Sequence, residues 1–280
     1  MRVNAHCADC LWDKQLHKSD DPAYLSEVRH IIDSRAENDT APYLVYLFNR
    51  AYERRFGRTE PYKEIKRTYN DYVLSMEAEI RRKIVSSPDP LASSLAYARI
   101  GNYIDFGAMN HVDRGELLSL LDSAELCQRD IPAYRAFTDR CRNAERFLLI
   151  ADNCGEIVLD KLFLEQLRLA FPRLELSVMV RGSEVLNDVT AEDAAYVGID
   201  SVAEIVSSGT SVAGVIYEML TDEAKTAIDR ADVILAKGQG NYESLSGRGR
   251  RIFYSLLCKC ELFTKRFQVP KLTGIFLECD

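Results

Sequence analysis

The sequence predicts an α/β protein in which a doubly wound parallel sheet follows an all-helical amino-terminal region. From about residue 11 to residue 142, apolar side chains recur every three or four positions, as on amphipathic helices. After Arg146 the period changes, and short continuous apolar runs alternate with amphipathic stretches. Strands that are buried on both faces and joined by helices show this alternation. We therefore predict a helical region over residues 1–143 and an α/β domain over residues 144–280.

The helical region is predicted to contain one long helix and several shorter ones. The long helix carries a single apolar stripe over residues 62–84, with Pro61 in its first turn and the Pro-rich residues 86–90 after its end. The shorter helices are predicted over residues 24–36, 42–56, 91–103, 116–126 and 132–142.

In the second half, five apolar runs predict the strands of the sheet. The runs cover residues 147–151, 176–180, 202–206, 233–236 and 252–257. Helices are predicted between them over residues 156–170 and 214–230, and each crossover is expected to be right-handed. A final pair, at residues 262–267 and 272–277, predicts one more helix and an edge strand.

Composition excludes several classes of partner. The chain of 280 residues has a net charge of −7, so it lacks the basic surface of a non-specific nucleic-acid binder. No apolar run approaches the roughly 20 residues of a membrane-spanning helix. The first ten residues hold no apolar segment typical of a secretory signal, so the eight cysteines are predicted to be thiols. We therefore expect a soluble, cytoplasmic protein without a nucleic-acid or membrane partner, whose oligomeric state stays open.

Polar residues gather directly after four of the predicted strands. Because the carboxyl ends of parallel strands share one edge of the sheet, these residues are expected to converge there. The segments are Asp152-Asn153-Cys154-Gly155-Glu156, Arg181-Gly182-Ser183 with Asn187-Asp188-Val189-Thr190, Ser207-Ser208-Gly209-Thr210 and Lys237-Gly238-Gln239-Gly240-Asn241.

Each segment also has a purely structural interpretation. Thr190-x-x-Asp193 resembles a capping box, and Asn241 or Ser208 are residue types that cap helices. Glycines permit tight turns, and a single lysine is most often solvated. Taken together, these structural interpretations are less convincing for Asp152 and Asn153, because an unpaired carboxylate beside a buried strand is costly in free energy.

The available side chains favour oxygen-based chemistry. The α/β half has no imidazole, since the histidines are His6, His17, His30 and His111; this weighs against a Ser-His-Asp hydrolase or a histidine-ligated zinc site within that half. Carboxylate and amide oxygens suit a hard cation such as Mg²⁺ or Mn²⁺, and a lysine with free N–H groups at helix starts suits phosphate. The sequence therefore predicts metal-assisted phosphate chemistry.

The motifs resemble, in kind and order, those of the damage-control phosphatases, formerly domain of unknown function 89. They are Asp152-Asn153-x-Gly155-Glu156-x-x-x-Asp160-Lys161, Asn187-Asp188-Val189-Thr190, Ser207-Ser208-Gly209 and Lys237-Gly238-Gln239-Gly240-Asn241-Tyr242-Glu243. The opening Cys7-x-x-Cys10-x-x-x-x-Gln15 resembles the prokaryotic branch of the family.

This resemblance implies a Rossmann-like three-layer α/β/α core below the helical region, and metal-dependent phosphatase activity on small phosphorylated metabolites such as damaged sugar phosphates. It places the metal ligands on Asp152, Asn153 and Asp188, a phosphate-contacting lysine on Lys237 and loop glycines on Gly238 and Gly240. Members use several divalent ions, so Co²⁺ and Ni²⁺ accompany Mg²⁺ and Mn²⁺ as candidates.

From the chemistry of these residues and from the family resemblance together, we predict hydrolysis of a phosphomonoester. Asp152, Asp188 and Lys237 are the predicted catalytic residues. Glu156 and Asp160 are candidates for a general base or an outer-shell role, or are solvated helix residues. The predicted substrate-binding residues are Asn153, Ser208, Gly209, Lys237, Gly238, Gly240 and Asn241.

Other assignments stay open at this point. A Rossmann-type methyltransferase, or another nucleotide- or cofactor-binding transferase, would use the same sheet edge, and so would a non-catalytic binding protein. The pair Cys7 and Cys10 fits reduced packing thiols, a redox role, or a structural metal site completed by His6 or by Cys258 and Cys260.

Overall fold

The chain folds around one six-stranded sheet that lies in its second half. The structure, a computed structural model, describes residues 1–57, 62–105 and 112–280; Pro61 and His111 lie outside this range. The strands are β1 (Arg146–Ile150), β2 (Glu175–Val180), β3 (Glu204–Ser207), β4 (Val233–Lys237), β5 (Ile252–Leu257) and β6 (Gly274–Cys279). Their order is β3-β2-β1-β4-β5-β6, in which β1 to β5 are parallel and β6 is antiparallel to β5. This is the strand order of a Rossmann fold up to β5.

The helices surround this sheet and extend over the amino-terminal region. They are α1 (Ala5–Lys18), α2 (Pro22–Asp33), α3 (Ala41–Phe56), α4 (Lys63–Val85), α5 (Pro90–Gly101), α6 (Arg114–Asp122), α7 (Ile131–Asn143), α8 (Glu156–Ala170), α9 (Ala191–Tyr196), α10 (Asp222–Arg230), α11 (Gly238–Leu245) and α12 (Glu261–Phe267). None of the described helices has the length and apolar character needed to cross a membrane.

Alternate residues of the buried strands face two different layers of helices. On β1, Phe147 and Leu149 pack into a core that also contains residues of α4 to α9, whereas Leu148 and Ile150 pack with residues of α10 to α12. A parallel sheet covered on both faces requires this two-sided burial, which is why the strands read as continuous apolar runs. Helices α1 to α3 form a separate small core. The predicted three-layer α/β/α fold with a helical amino-terminal region is confirmed.

The helix predicted over residues 214–230 is wrong in its first half. Only a short 3-10 turn at Tyr217–Met219 precedes α10, which begins after the capping residue Thr221. The chain bends at Gly214, where it packs against other parts of the fold: its carbonyl accepts a hydrogen bond from Arg181, and a β-carbon there would lie 2.9 Å from the carbonyl oxygen of Gly240. Tertiary contacts therefore override the helical pattern.

Buried polar contacts join the helical region to the sheet. Asp130, which is fully buried before α7, accepts a hydrogen bond from Arg99 of α5 at 2.5 Å and another from the backbone N–H of Phe276 of β6 at 3.1 Å. The carboxylate is thus satisfied only when both halves of the chain are in place. The predicted division between residues 143 and 144 falls just after α7 ends and stays a prediction.

Candidate functional site

The carboxyl ends of β1 and β2 bring the two predicted ligand segments together. The backbone N–H of Val189 donates to the carbonyl of Asp152 at 2.9 Å, and the N–H of Arg181 donates to the carbonyl of Val189 at 2.8 Å. Asn153 and Asp188 face each other in an isolated antiparallel bridge. This backbone pairing fixes the separation of the side chains before any ligand binds.

Hydrogen bonds to described residues leave one side-chain oxygen of each predicted ligand without a short bond. Asp152 uses Oδ2 to accept from Asn102 Nδ2 at 3.0 Å and from Asn153 Nδ2 at 2.8 Å. Asn153 donates that same nitrogen to Glu156 Oε2 at 3.0 Å, which leaves its Oδ1 as the available atom. Asp188 uses Oδ2 to accept from Arg181 Nε at 2.7 Å, and no described residue bonds to its Oδ1.

Arg181 is a fully buried cation behind this trio, and the sequence patterns gave it no role. Besides Asp188, its guanidinium donates to the Gly214 carbonyl at 3.0 Å and to Asn241 Oδ1 at 3.1 Å, and Nη2 lies 3.5 Å from Asp152 Oδ1. The planar fork suits such a set of oxygen acceptors. Its position directly after β2 was the one signal available in the sequence.

Asn102, at the carboxyl end of α5, is the second residue without a predicted role. Its amide nitrogen bridges Asp152 and Glu156 at 3.0 Å each, and its oxygen accepts from the backbone N–H of Leu257 at 3.2 Å. The residue comes from the helical region, 50 positions before Asp152. No short-range pattern links such distant residues.

Lys237 does not bring its ammonium group to the open side of the site. Nζ is fully buried and donates to Glu156 at 2.7 Å, to Asp160 at 2.5 Å and to the carbonyl of Ala98 at 2.9 Å. Three acceptors use the three donors of an ammonium group. Burial lowers the pKa of Lys237, but the carboxylates of Asp160 and Glu156 outweigh it and the pKa is raised. The ammonium group of Lys237, which the sequence assigned to phosphate, therefore lies in the interior beneath the ligand loop. It neutralises two buried acids there.

The remaining predicted substrate residues hold the loops in place. Asn241 donates to the carbonyls of Lys237 at 2.7 Å and Ala151 at 3.2 Å, and it accepts from Arg181. Ser208 accepts from the backbone N–H of Gly182 at 3.1 Å. Gly209 has a φ of +76°, where its Cα faces Thr221. Of the predicted substrate residues in the described chain, Asn153 and Gly240 line the cavity described next.

A cavity of about 900 Å³ opens from the three ligand side chains. Its walls also include Asp105, Gln239, Gly240, Cys260 and residues of α1. Burial raises the pKa of Glu243, also in the wall, to about 7. The volume is in the range that holds a small metabolite.

Cys7 and Cys10 lie in the wall of this cavity, although their sequence positions are far from every strand end. Both are free thiols, and burial raises the pKa of Cys7 to about 11. A thiol with a raised pKa is a poor nucleophile at neutral pH. Within the described part of the chain, no group of three or more His, Cys, Asp or Glu side chains is arranged to hold a metal ion among themselves.

The ligand side chains fit a hard divalent cation that would complete its shell with water or substrate. Asp152, Asn153 and Asp188 line one cavity and each keeps an oxygen without a short hydrogen bond, and such carboxylate and amide donors bind Mg²⁺ or Mn²⁺. Burial and the charges of Asp188 and Glu156 raise the pKa of Asp152 well above its usual range, and burial raises the pKa of Asp188 to about 6. A buried carboxylate pair of this kind is relieved by a cation.

Gly238 makes room for Asp152, and its replacement by alanine should distort the site. Its φ is +76°, and a β-carbon there would lie 1.9 Å from Asp152 Oδ2. We expect Gly238→Ala to displace Asp152 and to lower kcat/KM by about 10²-fold, as expected when a reacting group moves by about 1 Å. Gly247→Ala is the matched control, because Gly247 has the same φ of +76° with nothing within 4 Å. Equal activity losses in the two variants would show that backbone strain, not the clash, is responsible.

Comparisons with known proteins identify the family of the chain. The damage-control phosphatase ARMT1-like domain matches residues 3–273. A protein of Archaeoglobus fulgidus named damage-control phosphatase is 28% identical over 276 residues, which cover 93% of each chain. A damage-control phosphatase of Pyrococcus horikoshii is 31% identical over 219 residues, covering 77% of this chain and 73% of its own.

A solved structure extends the similarity to the whole fold. The crystal structure of a DUF89 family protein of Pyrococcus horikoshii superposes with a TM-score of 0.84 and 25% sequence identity, and the match covers 100% of both chains. Because the domain match spans nearly the entire chain, the protein belongs to the ARMT1-like damage-control phosphatase family.

Proposed function

We propose that this damage-control phosphatase hydrolyses phosphomonoesters of small metabolites with the help of a divalent cation, either Mg²⁺ or Mn²⁺, with Co²⁺ and Ni²⁺ as alternatives. The observation that carries the proposal is that Asp152, Asn153 and Asp188 line one metabolite-sized cavity and that each keeps an oxygen without a short hydrogen bond. When bound, the cation would polarise a phosphoryl oxygen and lower the pKa of a water molecule.

The chain's own groups would bind and orient the phosphoryl group at the start of α11. Gln239 and Gly240 line the cavity in the first turn of that helix, where unpaired backbone N–H groups attract anions. Gly240 has no side chain because the carbonyl oxygen of Ala213 packs there, 2.3 Å from where a β-carbon would lie. In this proposal these N–H groups contact the phosphate, a role that the sequence assigned to Lys237. Lys237 instead positions Glu156 and Asp160.

The remaining cavity would hold the variable portion of the substrate. We propose a single small phosphorylated metabolite as the partner, such as a damaged sugar phosphate, because the printed names of the relatives from Archaeoglobus and Pyrococcus describe damage-control phosphatases. We also propose a cytoplasmic location, since the eight cysteines are free thiols, as is usual in a reducing compartment.

A substrate screen tests the activity and its metal requirement together. Phosphate release from a panel of phosphorylated sugars should require one of the four cations, stop with EDTA and return when excess cation is added. Turnover that resists EDTA after exhaustive dialysis would contradict the metal requirement. Saturable binding of S-adenosylmethionine, without release of phosphate from any ester, would instead favour the methyltransferase.

A further inference from the structure

The three predicted metal ligands each offer a single oxygen to a cation, and Arg181 imposes this restriction on Asp188. The guanidinium Nε lies 2.7 Å from Asp188 Oδ2, so a cation bonded to that oxygen would sit beside a positive charge. Arg181 is 1% exposed, so water does little to screen this repulsion. Asp188 is therefore confined to its Oδ1.

The other two ligands are confined by amides. Asp152 Oδ2 already accepts from Asn102 and Asn153, so Oδ1, whose contact with Arg181 Nη2 is long at 3.5 Å, is left for a metal. An asparagine has only one oxygen. The chain thus supplies three oxygens from three side chains. At Asp188 bidentate binding is opposed by the short, charged hydrogen bond from Arg181 to Oδ2, whereas at Asp152 the Oδ2 atom is held by neutral amides and Arg181 makes only the longer contact with Oδ1.

Cations differ in how they use carboxylates. Ca²⁺ takes six to eight oxygens and often binds a carboxylate through both of its atoms, while Mg²⁺ and ions of similar size take six ligands with strict geometry and keep several waters. Three oxygens, each from a different side chain, suit the second group and under-coordinate Ca²⁺.

We propose that Arg181 determines the cation preference of the site by restricting Asp188 to one metal-facing oxygen, which disfavours Ca²⁺ relative to Mg²⁺ and Mn²⁺. This inference rests on the proposed metal site. Arg181 acts through Asp188 and is a positioning residue. Its further hydrogen bonds to Gly214 and Asn241 fix the position of the guanidinium.

Calorimetric titration of the full chain with Mn²⁺, Mg²⁺ and Ca²⁺ tests the inference without an activity assay. We expect the wild type to bind Mn²⁺ far more tightly than Ca²⁺. In Arg181→Met the dissociation constant for Ca²⁺ divided by that for Mn²⁺ should fall by about 10–100-fold, the usual effect of removing a group that orients a ligand. Arg181→Lys should narrow the ratio less, because an ammonium group keeps the charge but has no planar fork.

The matched control is Arg99→Met, which removes another buried arginine paired with an aspartate, Asp130. Arg99→Met should lose stability and leave the Mn²⁺ to Ca²⁺ ratio unchanged. An unchanged ratio in folded Arg181→Met, or a narrowed ratio in Arg99→Met, would overturn the inference.

A measurement on the wild type covers the case in which Arg181→Met does not fold. The infrared difference spectrum between Mn²⁺-loaded and metal-free protein should show the wide splitting of carboxylate bands that accompanies binding through one oxygen. A narrow splitting, typical of bidentate carboxylates, would overturn the inference. Absence of any cation binding by the wild type would refute the proposed metal site itself, whereas equal affinity for Mn²⁺ and Ca²⁺ would refute only the role of Arg181.

Discussion

Replacing Asp188 by asparagine is expected to lower kcat/KM by at least about 10²–10³-fold, because the variant keeps the shape of the side chain but loses one of the two negative charges that hold the cation. Asp152→Asn should behave alike, since both carboxylates serve the same ion. Steady-state phosphate release and cation titration on the same preparations measure the effect. The loss should appear in cation affinity as well as in turnover.

The control for these variants is an aspartate at the opposite edge of the sheet, where the parallel strands begin. Asp232 is exposed and accepts from the backbone N–H groups of Glu145 and Arg146 at 2.9 Å each, where β1 begins. Asp232→Asn should keep its turnover per folded molecule. Normal turnover by Asp188→Asn with normal cation binding would refute the ligand assignment.

Replacing Lys237 by methionine is expected to destabilise the protein by about 3–5 kcal/mol, because it leaves two buried carboxylates without a counter-charge. Glu156 and Asp160 are both fully buried, and burial raises the pKa of Asp160 to about 7 even with the lysine present. Urea unfolding measures the loss. The double variant Lys237→Met/Asp160→Asn should recover part of it, because one of the uncompensated charges is removed.

Lys66→Met is the matched control for the loss of a buried lysine. Lys66 also pairs with two acids, Glu184 and Asp193, but these are 28% and 17% exposed and can be hydrated. Its replacement should therefore cost less stability than that of Lys237. If Lys237→Met instead kept full stability while kcat/KM fell by about 10²–10³-fold, its ammonium would act on the phosphoryl group as the sequence suggested.

Regular elements were the most predictable part of the fold. Helix α8 begins and ends at the predicted residues, 156 and 170, and β5 does so at 252 and 257. Both have strong periodicity and clear breakers, so local information suffices. The segment 214–220 failed because its conformation depends on Arg181 and Gly240, which lie elsewhere in the sequence.

The ligand segments were predictable for a topological reason. Parallel strands fix where their carboxyl ends lie, so Asp152 and Asp188 had to meet once the strands were identified. The direction of a side chain is not fixed by topology. Lys237 ends its strand at the correct edge, yet its ammonium group turns toward α5 and α8, because two buried acids and the Ala98 carbonyl attract it there.

The contact between Asp130 and Phe276 has a consequence for synthesis on the ribosome. The carboxylate of Asp130 emerges with the helical region, whereas the N–H group that it accepts from is translated almost 150 residues later. The amide oxygen of Asn102 likewise lacks its donor until the backbone N–H of Leu257 has been translated. A nascent chain that has completed α1 to α7 still carries buried acceptors without partners, which disfavours early compaction of that half. Final closure of the helical region is therefore expected to occur together with docking of β5 and β6.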